Sequence, residues 1–203
     1  MRLEMFLDYR SVYSYLACHR VRLLDTEIDY RVVDIGRVMK ALNNQPVPTC
    51  PAKLRYSALD ASRWAQLYGI GFSPNHRMFE AMASGQLEGA LLARAGLAAQ
   101  ELGVFETFNR AMFAALWAGE DDIASEAGRD QFLRRHDLPA SLFELSAGEP
   151  IVERLRRDDN EAIERGIFGV PAFFVDGEMF FGNDRLAFVE ARLRGERKPG
   201  TVI

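Results

Sequence analysis

Within its first roughly 35 residues the chain sets out a strand, a helix and a second strand, and that order constrains its fold more than any other feature. Arg2–Tyr9 alternates Leu3, Met5 and Leu7 on one face with Phe6 on the other, the pattern of a strand buried on both sides. Ser11 follows, a good N-cap, ahead of Tyr13, Leu16, Ala17, Val21 and Leu24 at helical spacing. Asp29–Ile35, preceded by Ile28 and carrying Tyr30, Val32 and Val33, reads as the second strand. A unit this short crosses over right-handed into a parallel pair. The class is therefore α/β.

The sequence then changes character. Asn43–Pro51 holds Pro46, Pro48 and Pro51, a breaker segment that no helix interior or central strand tolerates. From Lys53 to about Arg165 the apolar spacing is helical: Leu54, Ala58, Ala61 and Ala65, then Met78 and Met82, then Leu91, Ala95, Ala98 and Leu102, then Phe105, Phe108, Met112 and Leu116. Breaks are expected at Gly69–Pro74, Gly103, Ala118–Asp122 and Pro139. Strand character returns at Ala172–Val175 and Glu178–Phe181 around Asp176-Gly177, the strongest short hairpin signal. A last helix is expected from about Asp184, turning Leu186, Val189 and Leu193 to the sheet, with Asn183 or Asp184 as cap. The layout is β-α-β, helices, β-β-α. On this reading residues 1–40 and 165–203 form a discontinuous sheet domain, and 41–164 an inserted helical domain.

Composition narrows the function classes. Apolar residues make up 48% and charged residues 27% of the 203, the balance of an ordinary globular chain. No apolar run approaches the roughly 18 residues of a spanning helix, and Arg2, Glu4 and Asp8 interrupt the apolar segment near the N-terminus. Neither a membrane span nor a secretory signal is expected, which points to the cytoplasm. A net charge of −4 lacks the basic footprint of a nucleic-acid binder. Cys18 and Cys50 are no CxxC pair and exclude a disulfide scaffold. His19, His76 and His136 show no ligand spacing with Cys, Asp or Glu, so no metal site is expected.

Four local features could carry chemistry. Ser11-Val12-Tyr13-Ser14 sits at the turn from the first strand into the first helix, where a thioredoxin-like protein of this layout carries Cys-x-x-Cys. A helix N-terminus offers free N–H groups and about half a positive charge, a setting that favours an anion or a thiolate. Taken alone, Ser11 also fits a plain N-cap. Gly169-Val170-Pro171 precedes the hairpin; in this topology the Val170–Pro171 bond is expected to be cis, leaving the Val170 backbone free to pair with a peptide-like ligand. Gly182-Asn183-Asp184-Arg185 leads into the last helix, as an Asx cap or as a site where helix N–H groups take a carboxylate and Asp184 an ammonium. Asn44 and Lys53 bracket the proline segment, as turn and surface residues or as contacts to a second carboxylate.

The four come together in a resemblance that runs nearly end to end. The chain resembles the 2-hydroxychromene-2-carboxylate isomerases, relatives of kappa-class glutathione transferases and of DsbA-type oxidoreductases. It does so through the run from Phe6 to Ala17, through Arg63-Trp64-Ala65-Gln66-Leu67-Tyr68-Gly69-Ile70, through the run from Ala162 to Pro171, and through Phe181-Gly182-Asn183-Asp184-Arg185-Leu186. The resemblance implies a thioredoxin-like domain with a large all-helical insertion, a homodimer, and glutathione as cofactor. It implies a catalytic Ser11 whose hydroxyl meets the glutathione sulfur, with Val170 and Pro171 at the cysteinyl backbone. Phe181, Gly182, Asn183 and Asp184 would surround the γ-glutamyl group, and Asn44 and Lys53 the glycyl end. Phe72, Phe79, Trp117 and Phe181 could wall a pocket for a flat substrate, though most aromatic residues of this kind are core fillers. Three positions depart from the family pattern: Val12 stands for a proline, Met39 for a lysine, and Arg10 for an apolar residue.

The implied activity is a glutathione-dependent isomerisation of an aromatic catabolite. A kappa-like transferase or peroxidase would use the same thiol site with another second substrate. From another class, a dithiol oxidoreductase is disfavoured because Cys18 lies seven residues after Ser11, roughly 10 Å along the helix. A non-catalytic DsbA-like protein that only binds a peptide is the remaining alternative.

Overall fold

The computed structural model describes residues 2–195; Met1 and residues 196–203, placed by sequence in the sheet domain, lie outside the described residues. Strand β1 (Leu3–Leu7) leads into helix α1 (Val12–Val21) and strand β2 (Ile28–Val32). The hairpin of β3 (Ala172–Val175) and β4 (Glu178–Phe181) completes a sheet of order β2-β1-β3-β4. β1 runs parallel to β2 and antiparallel to β3. This is the thioredoxin-like α/β arrangement expected from the sequence.

The second strand is shorter than its β-branched run suggests. Its ladder ends at Val32 and not at Ile35, because Asp34 turns the backbone and caps helix α2 (Ile35–Ala41). The Asp34 carboxylate accepts from the Gly36 and Arg37 N–H groups at 3.0 and 3.4 Å. A cap of this kind outcompetes strand propensity locally.

Between β2 and β3 the chain is helical throughout. A 3-10 turn (Val47–Thr49) crosses the proline segment, and α3 (Pro51–Tyr68) starts on Pro51, where the missing N–H costs nothing. Helices α4 (His76–Ala83), α5 (Gly89–Glu101), α6 (Phe105–Trp117), α7 (Glu126–Arg135), α8 (Leu142–Ala147) and α9 (Glu149–Glu164) follow. The expected breaks hold. Two more, at 84–88 and at Gly148, separate α4 from α5 and α8 from α9. Helix α10 (Leu186–Leu193) closes the described chain.

Both faces of the sheet are buried, as the alternation in β1 requires. Leu3, Met5 and Leu7, with Phe173 and Val175, pack against α1, α10 and the helices that include Leu92, Phe108 and Phe113. Phe6, Ala172 and Phe174 face the other way, onto Val38 of α2 and Ala162 of α9. The apolar stripe expected along α3 is only half buried. Ala61 and Ala65 are covered, whereas Leu54 and Ala58 are exposed, as are Tyr56, Leu59 and Leu67 outside that stripe.

Candidate active site

The turn from β1 into α1 is the most completely bonded part of the site. Ser11 is the N-cap of α1 with an extended backbone, and its Oγ accepts from the Ser14 N–H at 3.2 Å. The same hydroxyl donates to the Val170 carbonyl oxygen at 3.0 Å. Val170–Pro171 is cis, as expected. So two segments far apart in sequence meet through one hydroxyl. Val170 lies outside the ladder, which begins with Ala172 paired to Phe6 and to Phe181. Ser14 is fully buried, and its hydroxyl has no partner among the described residues.

Beneath this turn stand charges that sequence reasoning singled out only in part. Asp8 is 2% exposed and accepts from the Arg10 N–H, from the Arg10 guanidinium and from the Ile35 N–H. Arg10 also reaches Asp34. Burial works against the Arg10 charge, but the two facing carboxylates more than offset it and hold the group protonated. Asp159 of α9 accepts from the Asp34 N–H at 2.8 Å and pairs with Arg37 at 3.5 Å. Its carboxyl is pushed up to about 7, chiefly by burial and further by the neighbouring Asp34 and Asp8.

The turn from β4 into the last helix differs from the expected cap. Gly182 has φ 105, a region a side chain rarely adopts, and residues Asn183–Arg185 form a 3-10 turn before α10. Neither Asn183 nor Asp184 caps the helix with its side chain. Asn183 is buried instead and its Oδ1 accepts from the Tyr68 hydroxyl at 3.2 Å. Its Nδ2 has no partner among the described residues. Asp184 is exposed and paired with Arg185. Tyr68, itself beneath the Arg20 guanidinium at 5.2 Å, was not picked out by sequence as a site residue. Its spacing on α3 carries no signal that it reaches a distant loop.

The insertion contributes unevenly. Asn44 donates from Nδ2 to the Phe168 carbonyl at 2.8 Å, which ties the start of the insertion to the loop before Pro171. Lys53 lines an open groove of about 420 Å³ with Tyr13, Val47, Ala52, Tyr56 and Ser57. The expected aromatic wall divides into two groups. Phe72 and Phe79 pack on Trp117, whose Nε1 donates to the Tyr9 carbonyl at 2.8 Å, just before Arg10. Phe181 does not join them; it pairs with Phe168, ring centres 4.5 Å apart, beside the cis bond. A cavity of about 490 Å³ at the edge of β2 contains none of the expected site residues.

The thiols stand apart from this chemistry. Cys18 is buried and its thiol is pushed up to about 12, chiefly by burial. Cys50 is half-buried at the start of α3. Among the described residues no group of three or more His, Cys, Asp or Glu side chains could hold a metal ion. No helix among them is long and apolar enough to cross a membrane.

Comparison with known proteins gives a consistent answer. The family described as DsbA-like thioredoxin domain matches residues 2–194. The chain is 31% identical over 203 residues to the 2-hydroxychromene-2-carboxylate isomerase of Pseudomonas sp. (strain C18), covering 95% of this chain and 90% of that protein. It is also 31% identical over 202 residues to the protein of the same name from Pseudomonas putida, covering 95% and 94%. A solved 2-hydroxychromene-2-carboxylate isomerase superposes with a TM-score of 0.81 at 26% identity, covering 96% of this chain and 95% of that one. The cytosolic disulfide reductase DsbM from Pseudomonas aeruginosa shares the fold, with a TM-score of 0.61 at 20% identity over 96% of this chain and 99% of that one.

Proposed function

The chain belongs to the DsbA-like thioredoxin domain family and to that of the 2-hydroxychromene-2-carboxylate isomerases, and from that premise we propose that it is a glutathione-dependent isomerase of an aromatic catabolite such as 2-hydroxychromene-2-carboxylate. The observation that carries this reading is the placement of Ser11 Oγ at the N-terminus of α1, 3.0 Å from the Val170 carbonyl. Serine holds both positions of that turn, Ser11 and Ser14, where a dithiol enzyme would need sulfur.

The residues present fit glutathione. Asn183 Nδ2 is a buried donor without a partner among the described residues, suited to an acceptor on the γ-glutamyl group, and the exposed Asp184 suits its ammonium. Phe181 and Gly182 flank them, and the Val170 backbone beside Pro171 is available to the cysteinyl unit. Asn44 and Lys53 would hold the glycyl carboxylate. Bound there, glutathione supplies the thiolate nucleophile, whose reversible addition to a conjugated double bond frees that bond to rotate.

Ser11 lowers the energy of that thiolate. Its hydroxyl donates to a neutral carbonyl, and a sulfur anion at the same helix end would offer it a stronger acceptor. Hydrogen bonds to an ionised acceptor are roughly twice as strong as neutral ones, so the Ser11 hydroxyl would donate to the sulfur in preference to the carbonyl. The N–H bond from Ser14 keeps the oxygen in place, and the positive end of α1 adds its field. Phe72, Phe79 and Trp117 offer a flat apolar wall near the same turn.

Met39, where the family resemblance places a lysine, favours a second reading in which the same thiol site serves a kappa-like transfer to another electrophile. We also read the chain as a cytoplasmic homodimer, with the exposed Leu54, Leu59 and Leu67 of α3 as apolar surface for the second copy. Calorimetry with reduced glutathione, followed by turnover of 2-hydroxychromene-2-carboxylate against a chlorodinitrobenzene, tests the assignment. Glutathione-dependent turnover of the chromene supports the isomerase. Use of the chlorinated electrophile alone favours the transferase, and robust insulin reduction contradicts both.

A further inference from the structure

We propose that Arg10 is the positioning residue of this site: its guanidinium ties the β1–α1 turn to the cap of α2 and so fixes the direction in which Ser11 Oγ is presented. The inference rests on the glutathione reading above and concerns a residue that takes no part in holding the ligand.

Arg10 immediately precedes Ser11, and its side chain folds back onto the strand it follows. Its Nε donates to Asp8 Oδ1 at 2.9 Å, and its Nη2 meets both Asp8 Oδ2 and Asp34 Oδ1. The backbone uses the same anchor. The Arg10 N–H donates to Asp8 Oδ1 at 2.8 Å, and the Ser11 N–H to the Asp8 carbonyl at 3.0 Å. On its far side Asp8 accepts from the Ile35 N–H at 2.9 Å, and Asp34 caps α2 while donating its own N–H to Asp159 on α9. One connected chain of bonds therefore runs from the Ser11 turn to the starts of α1 and α2 and into α9.

Two features show that the guanidinium is built into this place. At Gly89, the first residue of α5, a Cβ would lie 2.3 Å from Arg10 Nη1, so the arginine occupies the room that a side chain there would take. Asp8 is almost wholly buried, and a buried carboxylate needs a fixed partner. The planar fork lets Nε and Nη2 grip both oxygens of Asp8 while Nη2 also meets Asp34, whereas a lysine ammonium is a point charge on a flexible stem. The Ser11 hydroxyl must reach Val170 in one conformation and a ligand sulfur in another, and a turn that wanders by about 1 Å can cost roughly 100-fold in rate.

The test compares wild type with Arg10→Met and Arg10→Lys, each confirmed folded by circular dichroism. Thiolate absorbance gives the pKa of bound glutathione, and steady-state kinetics separate kcat from KM. Arg10→Met is expected to raise the bound thiol pKa by about 1 pH unit and lower kcat roughly 10-fold, leaving KM for glutathione within about 3-fold. Arg10→Lys is expected to fall between the two. If Arg10→Met does not fold, the Lys variant alone carries the comparison. A bound thiol pKa and kcat equal to wild type in the folded Met variant, or complete restoration by lysine, overturns the proposal. If wild type itself leaves the glutathione thiol pKa unchanged, the functional reading fails separately. The Arg10 claim is then decided by hydrogen exchange at the Ser14 N–H, which bonds Ser11 Oγ: at least about 10-fold faster exchange in Arg10→Met supports it, and an unchanged rate overturns it.

Discussion

Two strand-to-helix turns face the same site and are built in opposite ways. At the β1–α1 turn, Ser11 caps its helix, Arg10 bonds Asp8 and Asp34, Asp8 also takes the Ile35 N–H, and the charges are mostly buried. At the β4–α10 turn, among the described residues, no side chain caps the helix and the buried Asn183 amide donor has no partner, while Gly182 takes a φ of 105 and Asp184 stands in solvent. The charged frame of the first turn is paired within the protein, with only the buried Ser14 hydroxyl unpartnered among the described residues; the second has an amide donor and an exposed carboxylate left over. The contrast teaches where the rigidity of the site resides. On the proposed glutathione reading, the protein would preorganise the sulfur end, and the ligand would finish the amino-acid end.

The sharpest way to break that contrast is to remove the anchor of the complete turn. Asp8→Ala is expected to lower stability to urea by about 3 kcal/mol, because it strips Arg10 and the Ile35 N–H of their buried acceptor. A loss under about 1 kcal/mol would mean the turn holds without it. Ser11→Ala comes next. Losing one hydrogen bond to a charged group, worth about 1.5–3 kcal/mol, should cut turnover roughly 10- to 200-fold at neutral pH with little change in glutathione affinity. The loss should shrink in alkaline buffer, where the thiol ionises unaided.

At the other turn Gly182→Ala forces a side chain into a conformation open essentially to glycine, with its Cβ 2.6 Å from Asp184 Oδ1. About 1–3 kcal/mol of stability should go, measured by the urea midpoint. Asp159 gives an effect that depends on pH. Folding raises its carboxyl from 3.8 to about 7, so between those values the native state holds a proton that the unfolded chain has released. Its contribution therefore makes stability fall as pH rises from about 4 to about 7 and levels off above. Asp159→Asn should remove that part of the slope, and an unchanged pH–stability difference would count against it. The smallest effect belongs to Asp184→Ala. Its exposed pair with Arg185 is expected to matter by less than about 0.5 kcal/mol for folding, while glutathione affinity drops measurably by calorimetry.

Much of this fold was legible because periodicity and local turn chemistry agree. The alternation of Leu3, Met5, Leu7 against Phe6 matches the two faces of β1, and Asp176-Gly177 joins the hairpin where expected. Ser11 was legible for the same reason: a good cap at the start of a helical stripe. The misses fall where long-range partners override local preference. The β-branched run of β2 yields to the Asp34 cap, and Asn183 trades a capping role for burial under Tyr68, 115 residues away. The parting of Phe181 from Phe72, Phe79 and Trp117 is likewise invisible to composition, since all four are aromatic and only tertiary packing sorts them. Arg10 could be named from sequence as a cation beside Ser11, but not its fork onto two carboxylates.

The central claim is that Ser11 stabilises the thiolate of bound glutathione, and titrating ultraviolet thiolate absorbance of glutathione on wild type and on Ser11→Ala tests it most directly. The account expects the wild-type complex to titrate below the free thiol and the variant about 1–2 pH units higher than wild type. Identical titrations in the two proteins would contradict it and leave Ser11 an ordinary helix cap.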